Sequence, residues 1–106
     1  MNSGKLRLAV AGASGRMGRM LIEAVSAADD CILSGALDIA ASSAINVDAL
    51  SYSGRTSGVL VTDDLMLGLA KSQVLLDFTR PEGTLAHLQA CRKLGVKAVI
   101  GTTGFD

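Results

Sequence analysis

The fold is decided by residues 6–18, which read Leu6-Arg7-Leu8-Ala9-Val10-Ala11-Gly12-Ala13-Ser14-Gly15-Arg16-Met17-Gly18. An apolar run typical of a buried strand leads into three glycines spaced three residues apart, and an amphipathic helical pattern follows. Such a turn brings bare backbone and a helix N-terminus up to a phosphate. A glycine-rich turn without a ligand is the alternative. The pattern predicts a phosphate cradle formed by Gly12, Ala13, Ser14, Gly15, Arg16 and Met17.

The rest of the chain alternates between strand and helix patterns. We predict helices over 16–28, after Thr62 and Asp63 as caps, and over about 81–94, the last with Leu85, Leu88 and Cys91 on one face. We predict strands over 5–11, 31–37, 59–61, 74–78 and 97–100. The segment 39–58 is predicted as a long connection with one helical turn around 44–50. Continuous apolar strands alternating with helices favour a parallel sheet covered on both faces. The predicted fold is therefore α/β, a Rossmann-type doubly wound parallel sheet with strand order 3-2-1-4-5.

Asp38 ends the second predicted strand, twenty residues after Gly18. At that place in a dinucleotide fold, a carboxylate accepts hydrogen bonds from the adenosine ribose and repels a 2′-phosphate. A solvated acid at a strand end is the alternative. Because Ile39 rather than a cation follows, we expect NAD(H) to be favoured, with NADP(H) possible through Arg16.

A second glycine turn, Gly101-Thr102-Thr103-Gly104, follows the last predicted strand. Its amides and hydroxyls suit the nicotinamide end of a dinucleotide, although a plain loop remains open. Thr79, with Glu82 three residues later, is predicted first as a helix cap. Phe78 is predicted to pack either in the core or against the cofactor.

Composition excludes several classes of function. The chain is 49% hydrophobic and 19% charged with a net charge of zero, so no nucleic-acid surface is indicated. Without a signal-peptide layout or an apolar run of about 18 residues, we expect a cytoplasmic protein that does not span a membrane. Cys31 and Cys91 are expected to be buried thiols, and no metal site is expected. His87, the only histidine, lies mid-helix and is not predicted to be catalytic.

Three stretches together resemble the N-terminal domain of the bacterial dihydrodipicolinate reductase family. They are Val10-Ala11-Gly12-Ala13-Ser14-Gly15-Arg16-Met17-Gly18, Asp77-Phe78-Thr79-Arg80-Pro81-Glu82-Gly83-Thr84 and Val99-Ile100-Gly101-Thr102-Thr103-Gly104-Phe105. The first occurs loosely in many nucleotide folds, whereas the order and spacing of the other two are specific. The resemblance covers nearly the whole chain.

The resemblance implies an oxidoreductase of the diaminopimelate route to lysine that transfers hydride to a cyclic unsaturated dicarboxylate. It implies that Gly12 to Met17 hold the pyrophosphate, that Asp38 holds the ribose, and that Gly101, Thr102 and Thr103 meet the nicotinamide, with Thr103 also touching a substrate carboxylate. The family often has Glu followed by Arg where this chain has Asp38-Ile39, which weakens 2′-phosphate recognition.

Family members continue into a second domain that supplies the catalytic groups and builds a homotetramer. We therefore expect residues 1–106 to be a truncated cofactor domain that is inactive alone and contains no catalytic residue. Two alternatives stay open. An extended short-chain dehydrogenase shares the glycine spacing, but Tyr52 lacks the Lys four residues on that such an enzyme needs. A non-enzymatic nucleotide sensor or CoA-binding domain is the other.

Overall fold

The computed structural model describes residues 4–79 and 81–101, and of residues 81 and 82 only the backbone. Four strands and three α-helices alternate along the chain: β1 (Leu6–Ala11), α1 (Arg16–Ala27), β2 (Cys31–Leu37), α2 (Leu65–Leu69), β3 (Val74–Asp77), α3 (Pro81–Leu94) and β4 (Lys97–Ile100). All strand pairs are parallel, and the sheet order is β2-β1-β3-β4. The direction of crossover reverses at β1, so the carboxyl ends of β1 and β3 form a topological switch point.

Strand β1 is the centre of the molecule because its alternate side chains build both halves of the core. Leu8 and Val10 pack with Ile22 and Val25 of α1 on one face of the sheet. Ala9 and Ala11 face the opposite side, where the core contains buried residues of the other two helices and strands, Leu37, Leu69, Leu75, Ala90, Cys91 and Val96. The predicted α/β fold with both sheet faces covered is thus confirmed.

The predicted third strand, over 59–61, is reduced to isolated bridges. Thr62 makes a parallel bridge to Leu37 at the end of β2, and Val61 bridges to Ile45. The position beside β2 agrees with the predicted order 3-2-1-4-5, and the other four strands keep that order. Thr62 exchanges hydrogen bonds with Ala36 and Asp38, while Val61 pairs on the other side with the long connection, accepting from Asn46 N at 2.7 Å and donating to Val47 O at 2.9 Å.

Two helical details differ from the prediction. The turn expected around 44–50 occurs later, as a 3-10 helix over Ser51–Ser53. The N-cap of α2 is Asp64, whose side chain accepts from Leu67 N at 3.1 Å, rather than Thr62 or Asp63. Thr62 Oγ1 instead accepts from Asp64 N at 3.1 Å, which orders the turn before the helix.

Helix α3 buries only part of the predicted face. Cys91 is buried as predicted and Leu88 is partly buried, but Leu85 is 66% exposed. The face that packs on the sheet carries Ala90 and Cys91, and His87 lies one turn before them. None of the helices within residues 4–79 and 81–101 combines the length and the apolar character needed to cross a bilayer.

Candidate functional site

The glycine turn is held closed by its own amides. Gly12 N and Ala13 N both donate to Leu37 O, at 2.8 and 3.0 Å, and Gly15 N donates to Gly12 O at 3.0 Å. These bonds tie the turn to the end of β2. The first free amides are therefore those of Arg16, Met17 and Gly18, which open α1 and have no partner in the helix itself.

The start of α1 is built to receive an anion. Its N-cap is Gly15, which has no side chain to cap the first turn. Helix α1 has 12 residues, and the partial positive charge of its N-terminus is directed at the turn. Arg16 is exposed beside it. The residues predicted for the phosphate cradle thus come together, and their role stays a prediction.

Close packing between the turn and the helix requires glycine at position 18. A Cβ added to Gly18 would lie 1.9 Å from Gly12 O and 2.7 Å from Gly12 C. Gly12 itself has φ 79°, a left-handed conformation that favours glycine. The spacing of the motif therefore follows from backbone geometry at two of its three glycines.

Asp38 is brought to the same turn. One carboxylate oxygen, Oδ2, accepts from Ser14 N at 3.1 Å and from Ser14 Oγ, and the other, Oδ1, accepts from Ile39 N at 2.9 Å. The side chain is partly buried. These donors fix the carboxylate at the carboxyl end of β2, next to the start of α1.

A cavity of about 600 Å³ opens at this edge of the sheet. One wall comes from the end of β2 and the start of α2, and the other from the glycine turn, Thr79 and α3. Its lining is Gly12, Leu37, Asp38, Ile39, Ala40, Asp63, Leu65, Thr79, Gly83 and His87. Apolar walls with a few polar groups are typical of a site for a small organic ligand.

Behind one wall of the cavity lies a residue pair that the sequence did not reveal, and of the two only His87 lines the cavity. Asp77, fully buried at the end of β3, lies 2.6 Å from His87 through Oδ2 and Nδ1. Asp77 Oδ1 also accepts from Thr79 N at 2.9 Å and from Thr79 Oγ1 at 2.5 Å. Burial raises the pKa of Asp77, but the hydrogen bonds from His87 and Thr79 outweigh it and hold that pKa below its ordinary value.

His87 reaches this edge because α3 starts there. Residues 83 and 87 lie one helical turn apart, so both face the end of β3. In the sequence, Gly83 four residues before His87 marks the helix face at the site, whereas the helix face was predicted from the leucines.

Of the second glycine turn, which was predicted to meet the nicotinamide, the structure describes only Gly101. Gly101 N donates to Asp77 O at 3.0 Å, and a Cβ added to Gly101 would lie 2.0 Å from the Phe78 ring. Phe78 therefore packs against the start of the second glycine turn. Thr102 and Thr103 lie outside the described residues, as do Arg80, which precedes α3, and the side chain of Glu82.

Both cysteines are free thiols in the described part of the chain. Cys91 is buried as predicted, whereas Cys31 is only partly buried. Within residues 4–79 and 81–101, His, Cys, Asp and Glu side chains form no group of three that could hold a metal ion.

Solved structures resemble this fold. A dipicolinate-bound dihydrodipicolinate reductase from Paenisporosarcina sp. TG-14 superposes with a TM-score of 0.70 at 28% identity, over 96% of this chain and 39% of that one. The WlbA dehydrogenase of Chromobactrium violaceum, solved with NADH and UDP-GlcNAcA, gives a TM-score of 0.54 at 18% identity, over 95% of this chain and 36% of that one. The second likeness concerns the fold alone.

Sequence relatives are closer. The 4-hydroxy-tetrahydrodipicolinate reductase of Herminiimonas arsenicoxydans is 61% identical over 96% of this chain, and that of Cupriavidus taiwanensis is 58% identical over 95%. The chain spans 38% of the length of either relative. The family model for the N-terminus of dihydrodipicolinate reductase matches residues 6–106. The chain therefore belongs to the dihydrodipicolinate reductase family, whose N-terminal part it matches.

Proposed function

We propose that this chain is the NAD(P)H-binding domain of a 4-hydroxy-tetrahydrodipicolinate reductase. The observation that carries the proposal is the meeting of the uncapped N-terminus of α1 and the carboxylate of Asp38 beside one cavity at the switch point. Dinucleotides bind at such a point in open α/β sheets. Membership of the family supplies the class of reaction.

Each part of a dinucleotide has residues at this site that would hold it. The amides of Arg16 to Gly18 and the exposed Arg16 side chain would hold the pyrophosphate at the first turn of α1. Asp38 would accept hydrogen bonds from the adenosine ribose, and the cavity beside it would hold the base. Gly101, Thr102 and Thr103 would meet the nicotinamide, and Thr103 would also contact a substrate carboxylate.

When bound, the reduced nicotinamide supplies a hydride to a cyclic unsaturated dicarboxylate, in the diaminopimelate route of lysine biosynthesis. This chain's own residues bind and orient the hydride donor. We assign the proton donor, substrate binding and assembly into a homotetramer to a second domain outside these 106 residues. The enzyme acts in the cytoplasm, without nucleic acid or membrane.

We infer a preference for NAD(H) over NADP(H), which the residues that line the cavity support. Asp38 occupies the position that a 2′-phosphate would approach, and Asp63 adds a second carboxylate to the same lining. Ile39, which is 69% exposed, follows Asp38 and offers no positive charge. Like-charge repulsion at short range lowers affinity for the additional phosphate.

A fluorescence titration with NADH and NADPH tests both parts of the proposal. We expect NADH to bind more tightly, and we expect Ile39→Arg to narrow the difference by adding a cation where the 2′-phosphate would lie. The effect of Ile39→Arg should decrease with added salt, since exposed charges are screened. Tighter binding of NADPH to the unmodified chain would contradict the preference, and no binding of either would contradict the function.

A further inference from the structure

The wall of the cavity on the α3 side exposes one edge of an imidazole ring. A Cβ added to Gly83 would lie 3.5 Å from Cε1 and 3.9 Å from Nε2 of His87. Both residues line the cavity, and the His87 side chain is 14% exposed. Because position 83 carries no side chain, a ligand in the cavity can reach the Cε1–Nε2 edge.

Asp77 determines which ring nitrogen carries the proton. Its buried carboxylate is 2.6 Å from Nδ1, so Nδ1 donates and the carboxylate accepts. In the neutral ring Nε2 is then a bare acceptor. Across residues 4–79 and 81–101 no hydrogen bond engages Nε2, and no fully buried side-chain nitrogen or oxygen there lacks a partner. Nε2 is therefore open to the cavity.

The remaining lining suits a flat aromatic base. Leu37, Ile39, Ala40 and Leu65 provide apolar surface next to Asp38. A base linked to a ribose on Asp38 enters this space, and its polar edge needs partners on the opposite wall. Nε2 of His87 offers an acceptor there.

We propose that His87 recognises the adenine base, accepting a hydrogen bond at Nε2 from the exocyclic amino group, with Asp77 as the positioning residue that fixes the tautomer. The proposal rests on the proposed function, because it takes the cavity as the adenosine site. Hypoxanthine carries a carbonyl oxygen in place of that amino group, which would face the lone pair of Nε2. His87 therefore favours adenine over a 6-oxo purine.

The test compares NADH with its hypoxanthine analogue, reduced nicotinamide hypoxanthine dinucleotide, at pH 8. We expect NADH to bind about five- to tenfold more tightly, the size of effect that one hydrogen bond gives. In His87→Asn, an amide can still donate to Asp77 but the ring's Nε2 is gone. In this variant the preference for NADH over the hypoxanthine analogue should fall to about twofold or less, mainly because NADH binds more weakly.

Two further variants test whether the preference for NADH over the hypoxanthine analogue depends specifically on His87. Gln89→Ala changes an exposed position of α3 and should keep the full preference. Asp63→Ala removes a rival acceptor in the lining. An unchanged preference for NADH over the hypoxanthine analogue in His87→Asn, or loss of that preference in Asp63→Ala instead, would overturn the proposal.

Binding of the two dinucleotides to the unmodified chain distinguishes the role of His87 from the proposed function. If both dinucleotides bind the unmodified chain equally, the function stands and the role of His87 is wrong, even if His87→Asn does not fold. If neither dinucleotide binds, the function itself is contradicted, and the inference with it.

Discussion

Asp38 joins the two halves of the proposed nucleotide site. Its Oδ2 accepts from Ser14 N and Ser14 Oγ of the glycine turn, while its Oδ1 accepts from Ile39 N. Two carboxylate oxygens have about four lone-pair sites, so acceptor capacity for about one ribose hydroxyl remains. The position was predictable from sequence because the distance from the glycine turn is set by one helix and one strand.

Replacing Asp38 with Asn should weaken NADH binding about tenfold. The ribose hydroxyls lose a charged acceptor, and a charge-assisted hydrogen bond contributes about 1.5–3 kcal/mol. The preference for NADH over NADPH should narrow at the same time, because the repelling charge is gone. Fluorescence titration of both cofactors measures the change.

Asp29→Asn is the matched control for this substitution. Asp29 is exposed at the amino end of β2, at the opposite edge of the sheet from the cavity. It should bind both cofactors like the unmodified chain. If Asp38→Asn also kept the original affinities, Asp38 would not be the ribose ligand.

The place of His87 at the site could not be predicted from the sequence, because it depends on which face of α3 packs on the sheet. The apolar pattern of residues 81–94 placed Leu85 in the core, but Leu85 is 66% exposed. The face of a helix that packs on a sheet depends on the neighbouring strand, here on buried Asp77, which needs a partner. A histidine nearly two turns after the start of that helix therefore lies beside the proposed site, although its sequence position is far from any strand end.

The strand–turn–helix unit depends on Gly18. A methyl group at this position would meet the backbone of Gly12, which cannot move without opening the turn. We expect Gly18→Ala to lower the free energy of unfolding by about 3 kcal/mol, the upper end for overpacking. Urea denaturation followed by circular dichroism measures the loss.

Gly15→Ala is the matched control for Gly18→Ala in the same strand–turn–helix unit. The added Cβ would lie 3.4 Å from Gly12 O, an ordinary contact, and φ of Gly15 is −77°. Stability should change by no more than about 1 kcal/mol, since only an N-cap glycine is replaced. Equal losses of stability in the two variants would show that close packing at Gly18 is not what the motif requires.

The long connection over 39–58 is organised by Asp48. Its carboxylate accepts from Leu50 N, Ser57 N and Gly58 N at 2.9, 2.9 and 2.8 Å, and from Ser57 Oγ at 2.8 Å. Burial raises the pKa of Asp48, but these hydrogen bonds prevail and lower it from 3.8 to about 2. The sequence predicted a long connection here but not the hydrogen bonds that order it. No periodic pattern marks a carboxylate that accepts from several backbone amides.

Asp48 should make stability depend on pH. A carboxyl group whose pKa is lowered by folding stabilises the protein above its unfolded pKa, and this contribution is lost as the pH falls from about 4 to 2. We expect Asp48→Asn to cost about 1 kcal/mol at pH 7, a value reduced because the group is partly exposed. The cost should shrink at pH 3. Urea unfolding at both pH values measures it, and an equal cost at both would contradict the role of Asp48.

The chain as a whole is a parallel sheet with helices on both faces, and the proposed nucleotide site lies at its carboxyl edge. The alternation of strands and helices predicted the parallel sheet and its switch point, since crossover handedness leaves few topologies. It did not predict that the third strand would shrink to isolated bridges, because no periodic pattern in 39–58 marks the pairing of this connection with Val61.

The 106-residue chain alone should bind NADH and show no reductase turnover. Hydride transfer requires donor and acceptor to be held in a near-attack geometry, and we assign the acceptor's binding groups to a further domain. An assay that follows NADH absorbance with the cyclic dicarboxylate substrate tests this. Turnover above that of a mock preparation would contradict the assignment.

Amide NMR of the ¹⁵N-labelled chain tests whether a pyridine dinucleotide binds at the carboxyl edge of the sheet. On adding NADH, we predict shift changes confined to the glycine turn and the start of α1, to Asp38 and Ile39, and to the start of α3. Residues 28–32, at the amino end of β2, should stay unchanged. No shifts at saturating NADH, or shifts centred on residues 28–32, would contradict binding at this edge.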